Sequence, residues 1–387
     1  MIELPDRSPK IFLVMGILLS VLLHKDIFNK DLIGVHLWRQ AQNEWNIRNF
    51  VRTDNNILNP RIPALNLGTD GNILRYEFPL MTWSIAQVQS LLGESILITR
   101  VIMFLVGILC IIGIYKMIGL LFQDEWLAVY TAWAFAFTPI FYYYMINPLS
   151  DVWAMCAQIW MMVFLIKYIK DLHLRHFVLS SVLLMLAGLF KLPYFMYGIM
   201  LATISVYRFF KVDHSLKILI CNGFILLLIS VPVVTWYWYA MKDWGYMGVI
   251  KGVFAPGGRD HLGEYIGFVF TKWLPFHLQN IVSIGFFLVG LYILISKRIF
   301  SQATRWILIC GFVITVLYYI YEMNMIAKVH DYYMLPFLMW ISIPVALGIQ
   351  FVNLSKYKAW IIPFIIAMPF LAYSYVDSYW SIDRNGY

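Results

Sequence analysis

The chain is short of charge. Asp, Glu, Lys and Arg make up only 13% of its 387 residues, against 61% hydrophobic and 18% aromatic residues. A soluble domain with that balance would turn a largely apolar surface to water, so a soluble globular protein is excluded. A basic soluble region is also missing, so the formal net charge of +8 has no domain to collect in, and no nucleic-acid partner is expected. Cysteines are few and scattered: Cys110, Cys156, Cys221 and Cys310 each fall inside an apolar run. They imply neither a disulfide framework nor a metal cluster and read as small core residues. The N-terminal Arg7 and Lys10 precede an apolar run from Ile11 to Leu23 that imitates a secretory signal. No small-residue cleavage site follows, and His24-Lys25-Asp26 closes the run, so an uncleaved first span is expected. Low-complexity linkers, obvious repeats and a detached soluble domain are absent as well.

Long apolar runs are what the chain has instead, with a mean hydropathy of +0.73. A bilayer span needs about 20 apolar residues. By that measure spans are expected near 10–29, 97–119, 126–146, 151–169, 177–192, 193–210, 217–240, 276–296, 305–323, 332–351 and 359–376. The expected fold is therefore all-α: one polytopic membrane helical bundle over 1–387, with about eleven transmembrane helices. Lys191 and Pro193 interrupt one long apolar stretch and read as the tip of a tight helical hairpin.

Phe78–Leu92 decides the topology. It is short and carries Gln87, Gln89 and Ser90. If it spans, the basic turns Lys167/Lys170/Arg175, Arg208/Lys211/Lys217 and Lys297/Arg298/Arg305 face outward. If it lies in the interface, those turns face the cytoplasm together with Arg7, Lys10, Lys356 and Lys358, as the positive-inside rule asks of short loops. The second arrangement is expected, with the N-terminus inside and the C-terminus outside. Two long loops then lie on the outer face, 30–96 and 241–275, the latter turning at Pro256-Gly257-Gly258. The sequon-like Asn353-Leu354-Ser355 falls on the inner side.

Within the first outer loop, His36–Phe50 has residues unlike those of a spanning helix. As a helix it carries Arg39, Gln42 and Asn46 on one face, with Trp38, Ala41 and Trp45 on a neighbouring stripe. Tryptophans beside arginines suit an amphipathic helix lying flat at the bilayer surface. On this topology Arg39, Glu77, Asp151, Lys191, His330 and Asp331 gather at the outer boundary. Each alone has a structural explanation: Asp151 and Glu77 as first-turn acids, Lys191 as a snorkelling cation, His330 as a partner of Asp331. Together, cations and carboxylates at that depth suit an anionic ligand held beside a general base. The aromatics of Trp133–Tyr144 and Trp236–Trp244, at helical spacing, read as core or interfacial belt ahead of a lipid groove. No HxxxH or DxD spacing stands out on the outer face, so no cofactor is firmly implied and a divalent metal is left open.

The set of short motifs carries a resemblance. Trp38-Arg39-Gln40 with Ile47–Phe50, then Glu77-Phe78-Pro79-Leu80, Pro148-Leu149-Ser150-Asp151, Lys191-Leu192-Pro193 and His330–Pro336 (HDYYMLP) follow one another along the membrane module. In this order they resemble integral-membrane glycosyltransferases of the GT-C superfamily, in the bacterial branch related to aminoarabinose transferase and protein mannosyltransferases. The resemblance implies a polyprenyl-phosphate-linked sugar donor and a lipid, glycan or protein acceptor. It implies an active site formed by two juxtamembrane helices of the first outer loop, on the periplasmic side of a bacterial cytoplasmic membrane. It further implies inversion at the anomeric carbon, with an acceptor activated by a carboxylate and the departing phosphate held by Arg, Lys or His.

On this chain the implied base is Glu77 or Asp151, and the implied phosphate ligands are Arg39, Lys191 and His330. His36, Gln42, Asp331, Tyr332 and Tyr333 are expected to line the cavity. One departure bears on the chemistry: relatives read WRQADT, with an acid where this chain has Gln42, and an amide is no base. Glu44 lies about 200° round the helix from Gln42 and stands four residues before Arg48, a favourable i,i+4 pair. It is therefore expected to be structural. Two other classes compete: a transporter or flippase for a lipid-linked anion, and a non-catalytic scaffold, which Gln42 keeps open. A transporter would carry polar residues through the membrane depth and pseudo-symmetric halves, which this chain does not show.

Overall fold

A computed structural model describes residues 8–62, 72–243, 261–296, 301–328, 330–354 and 361–380. Among them the backbone is helical, and the only β pairing is a lone bridge between Arg61 and Ile73. In chain order the helices are α1 (Ser8–His24), α2 (Leu37–Arg52), α3 (Leu80–Leu92), α4 (Ile96–Phe122), α5 (Glu125–Ala136), α6 (Pro139–Tyr144), α7 (Ser150–Asp171) and α8 (Leu174–Phe190). A 3-10 turn (Leu192–Tyr197) leads into α9 (Gly198–Arg208), followed by α10 (Leu216–Ala240). The remainder comprises α11 (Leu262–Phe268), which runs on as a π-helix over Val269–Leu278, then α12 (Ile281–Ser296), α13 (Gln302–Lys328), α14 (Leu335–Asn353) and α15 (Ile361–Trp380).

Among the described residues, six helical stretches are long and apolar enough to cross a membrane: Ile96–Phe122, Ser150–Asp171, Leu192–Asp213, Leu216–Ala240, Gln302–Met323 and Asp331–Asn353. Gly263–Leu278 and Ile281–Ser296 meet at 111° and make a seventh if taken as one broken span. Shorter apolar helices cover Ser8–His24, Leu174–Phe190 and Ile361–Asp377. The chain is thus an all-α, multi-pass membrane protein. Among the described residues each expected segment contains helix, but fewer than eleven meet the length and composition of a span.

The expected span 126–146 differs most. It is two helices, because Pro139 supplies no amide proton and pushes Thr138 out of the helical region, to φ −72° and ψ 134°. Pro139 then serves as the first residue of α6. The first helix ends at His24, short of residue 29, where its ring nitrogens meet the Ser20 carbonyl at 2.8 Å and the Tyr142 carbonyl at 2.9 Å. The aromatics of α5 and α6 from Phe135 to Tyr144 are buried core, as are Trp236 and Tyr237, while Trp238 is exposed. Arg7, 244–260 with the Pro256-Gly257-Gly258 turn, Lys297, Arg298, Ser355, Lys356 and Lys358 lie outside the described residues.

Two helices approach backbone to backbone. A Cβ on Gly290 of α12 would stand 1.7 Å from the Pro344 carbonyl oxygen, and one on Gly348 of α14 would stand 2.0 Å from that of Phe286. Lipid tails are as apolar as side chains, so close packing at small residues is what joins such helices. Elsewhere, α2 packs on α3 and α3 packs on α4. With 13 residues, α3 is about 20 Å long, well short of the roughly 30 Å hydrocarbon core.

Candidate active site

The loop between α1 and α2 is held by a buried cation. Arg100, on the first turns of α4, donates to the Lys30 carbonyl at 3.2 Å, the Asp31 carbonyl at 2.9 Å and the Asn147 side-chain oxygen at 2.9 Å. Its guanidinium is fully buried and faces the Trp380 ring at 5.8 Å. The chain then enters α2 through His36, which sits at φ 55° in the left-handed region, sparsely used by side chains other than glycine. Asn43 donates to the Pro148 carbonyl at 2.7 Å, tying α2 to the turn before α7.

Glu44 lies on the buried side of α2. It accepts from the Thr99 hydroxyl at 3.0 Å and pairs with Arg48 at 3.5 Å, so the i,i+4 pair forms. Burial raises its pKa against the pull of these partners. Trp38 and Trp45 stand out on the other side, 57% and 44% exposed.

Tyr76–Pro79 is clamped between two spans. The Phe78 amide donates to the Leu189 carbonyl of α8 at 2.9 Å, and the Trp236 indole of α10 donates to the Tyr76 carbonyl at 3.1 Å. Glu77 between them is thereby fixed under α2. One of its carboxylate oxygens pairs with Arg39, and the other accepts from Lys191 at 2.8 Å. Lys191 ends α8 in extended conformation ahead of the 3-10 turn, so its side chain leaves the hairpin tip toward the site. Its ammonium also stands 3.6 Å from Asp151 on the first turn of α7, and faces the Tyr333 ring at 4.6 Å and the Tyr332 ring at 5.5 Å. Arg39 lies 5.0 Å from the Tyr76 ring centroid and donates to Gln42 at 2.6 Å. Where an acid at position 42 would form a further ion pair, Gln42 offers Arg39 a neutral acceptor.

Burial works to raise the Glu77 pKa, but the charges of Arg39 and Lys191 and the Lys191 hydrogen bond outweigh it and hold the carboxyl at about 2. Paired in this way, Glu77 is a fixed anion and a weak base.

A second group adjoins the first. Asp331 accepts from the Tyr144 hydroxyl, lies 3.0 Å from His36 Nε2 and stands 3.9 Å from His277 Nδ1. The His330 ring packs 5.6 Å from His36, 5.0 Å from Tyr332 and 5.1 Å from Tyr333. Its Nδ1 is buried with no hydrogen-bond partner among the described residues. Burial, reinforced by the charges of Lys191, His36 and Arg39, lowers its pKa to about 3, so the ring is neutral at pH 7.

Beside the ion pairs opens a cleft of about 550 Å3, lined by Glu77, Lys191, Tyr237, Tyr318, Glu322 and Tyr333 together with apolar residues of the 3-10 turn and α13. Among the described residues no group of three or more His, Cys, Asp or Glu is placed to hold a metal ion.

The residues singled out from the sequence therefore form one neighbourhood. Arg39, Glu77, Lys191, Asp151 and Gln42 make a connected cluster, and His36, His330, Asp331, Tyr332 and Tyr333 flank it. Arg100, Tyr144, His277 and Glu322 were not singled out. An isolated cation in the apolar run of α4 and an isolated acid in that of α13 are signals that would have found Arg100 and Glu322. Tyr144 and His277 sit among many aromatics and carry no such mark.

Residues 77–238 match the family model of dolichyl-phosphate-mannose-protein mannosyltransferase. No curated protein matches the chain by sequence. Among solved structures, ArnT from Cupriavidus metallidurans bound to undecaprenyl phosphate aligns with a TM-score of 0.61 at 14% identity, over 94% of this chain and 63% of that one. The same protein in its apo state gives a TM-score of 0.61 at 15% identity, over 92% and 61%. The Archaeoglobus fulgidus oligosaccharyltransferase, in complex with Zn and sulfate, gives a TM-score of 0.58 at 16% identity, over 96% of this chain and 53% of that one. This chain thus spans between half and two thirds of the length of these structures. The match covers less than half of the chain, and the architecture shared along nearly its whole length gives this protein the fold of ArnT and of the oligosaccharyltransferase.

Proposed function

We propose that the protein is an inverting glycosyltransferase that moves a sugar from a polyprenyl-phosphate donor to a lipid, glycan or protein acceptor. The observation that carries this reading is the convergence of Arg39 and Lys191 on Glu77 at the polar end of an apolar, aromatic cleft. Two cations meeting at the edge of an apolar groove suit a lipid whose head is an anion.

In the proposed reaction the acceptor hydroxyl oxygen attacks the anomeric carbon from the side opposite the phosphate. The bond from that carbon to the phosphate oxygen breaks, its electron pair leaves on the phosphate, and the hydroxyl proton passes to a carboxylate. The leaving phosphate gains charge as the bond breaks, which Arg39 and Lys191 would compensate in a site poor in water. His330, neutral at pH 7, would serve the phosphate as a hydrogen-bond donor through its ring N–H. Donor binding would draw Arg39 and Lys191 from Glu77. Relieved of their charges, Glu77 would recover basicity and accept the proton, so that the base is unmasked only when donor is present. Asp151, 3.6 Å from the same ammonium, is the competing base.

We take the reaction to occur at the outer face of a bacterial cytoplasmic membrane, a reading supported by the clustering of basic short turns on one side. The test is incubation of purified protein with a panel of polyprenyl-phosphate sugars, following release of polyprenyl phosphate by hydrolysis or transfer. Turnover by wild type, with binding of undecaprenyl phosphate weakened about tenfold or more in Arg39→Ala and Lys191→Ala, is expected. Failure of wild type to bind undecaprenyl phosphate overturns the reading.

A further inference from the structure

Four carboxylates surround the site among the described residues, and their surroundings differ. Both oxygens of Glu77 are engaged, by Arg39 and by Lys191. Asp151 lies beside the Lys191 ammonium, and Asp331 is held by His36 and Tyr144. Glu322, near the outer end of α13, is the exception. It lines the same cleft, half-buried, and makes no hydrogen bond or ion pair with any described residue. The charge of Lys191 reaches it, but no contact within 4.0 Å joins them.

An acid inside an apolar helix is costly to keep and usually meets a ligand or a path. Pairing does not account for this one, because no described residue meets its carboxylate with a hydrogen bond or an ion pair.

The cleft around Glu322 is aromatic as well as apolar, with Tyr237, Tyr318, Tyr321 and Tyr333 in its wall. Its apolar side chains suit the prenyl chain, while the tyrosines and the acid go beyond what a tail requires. A sugar ring needs aromatic faces for its C–H surfaces and a fixed acceptor for its hydroxyls. A carboxylate with both oxygens free can accept from two neighbouring hydroxyls at once.

We infer that Glu322 reads the sugar of the donor, accepting hydrogen bonds from its hydroxyl groups while the phosphate rests on Arg39 and Lys191. This rests on the donor reading given above. Glu322 is then a specificity residue sharing the cleft with Lys191, apart from the base. The ligand class is a neutral sugar with adjacent hydroxyls, linked through phosphate to a long prenyl chain.

The experiment compares bare undecaprenyl phosphate with undecaprenyl-phosphate-linked glucose, galactose and mannose as ligands of full-length protein in detergent. Wild type, Glu322→Gln and Glu322→Leu are measured side by side. Hydrogen bonds to a charged group correspond to about 10- to 100-fold in affinity. Glu322→Leu is expected to weaken the best-bound sugar donor by that factor and leave bare undecaprenyl phosphate unchanged, which also shows that the variant is folded. Glu322→Gln, retaining one acceptor oxygen, is expected to fall between. The inference is overturned if both variants bind every sugar donor as wild type does, if sugar and bare lipid weaken equally, or if wild type gains nothing from the sugar. Absence of undecaprenyl phosphate binding to wild type, by contrast, strikes the donor reading itself.

Discussion

At the scale of single residues, the site is governed by how its charges are shared. Glu77 holds two cations and is held at about pKa 2 by them, so it has little basicity until an anion takes its place. Glu77→Gln is therefore expected to reduce transfer by roughly 10²–10⁴-fold. The same variant should bind undecaprenyl phosphate at least as tightly as wild type, because the phosphate no longer competes with a carboxylate for Arg39 and Lys191. Near-normal turnover by Glu77→Gln together with a dead Asp151→Asn would assign the base to Asp151, and full activity in both would remove the carboxylate base altogether.

His330 gives a second expectation. Its folded pKa of about 3 lies below the ordinary 6.5, so below pH 6.5 the unfolded chain takes up a proton that the folded one refuses. Stability should fall as pH drops from about 6.5 toward 3, and this contribution should be flat above 6.5. Melting curves of His330→Gln across that range should show a shallower acid slope than wild type; an unchanged slope would mean that the ring is not buried as a neutral group.

At the scale of elements, the closest joint is that between α12 and α14. With a Cβ on Gly348 only 2.0 Å from the Phe286 carbonyl, neither helix can keep its place if alanine is introduced. Overpacking of this kind costs about 1–3 kcal/mol, and here the obstruction is backbone, which cannot rotate away. Gly348→Ala should lower the melting temperature in detergent. Gly285→Ala, on the same α12 but with nothing within 4 Å, should leave it unchanged or raise it slightly. Equal melting of the two variants would show that the helices do not meet there. The helical segments and their breakers were legible in the sequence, because apolar run length and proline act locally. The break at Thr138-Pro139 lay inside an apolar run and was passed over, though proline there is sufficient cause.

At the scale of the whole molecule, the position of the bilayer turns on α3. Only if α3 stays in the outer interface do the basic short turns face the cytoplasm together with the N-terminal Arg7 and Lys10, and at about 20 Å it is too short to span upright. A cysteine replacing Ser90, exposed near the end of α3, should react with an impermeant thiol reagent added outside intact cells. Labelling from the cytoplasmic side alone would invert the topology and put the proposed site on the inner face.

The sequence by itself determined the class of the fold and which residues are out of place in it. Composition and run length demand membrane helices, and Arg39, Glu77, Asp151 and Lys191 are conspicuous because charge is so costly in that setting. What these groups do to one another was decided by tertiary structure. They lie 38 to 114 residues apart in the chain where they pair, on α2, the Tyr76–Pro79 segment and the tip after α8. Nothing local specifies that Glu77 takes both cations while Glu322 takes none. That division follows from the docking of Phe78 onto α8 and of Tyr76 under α10, which aims Glu77 at Arg39 and Lys191. Charge pairing at such separations is a property of packed helices, because electrostatic partners are chosen by distance in space, and only the assembled bundle sets those distances.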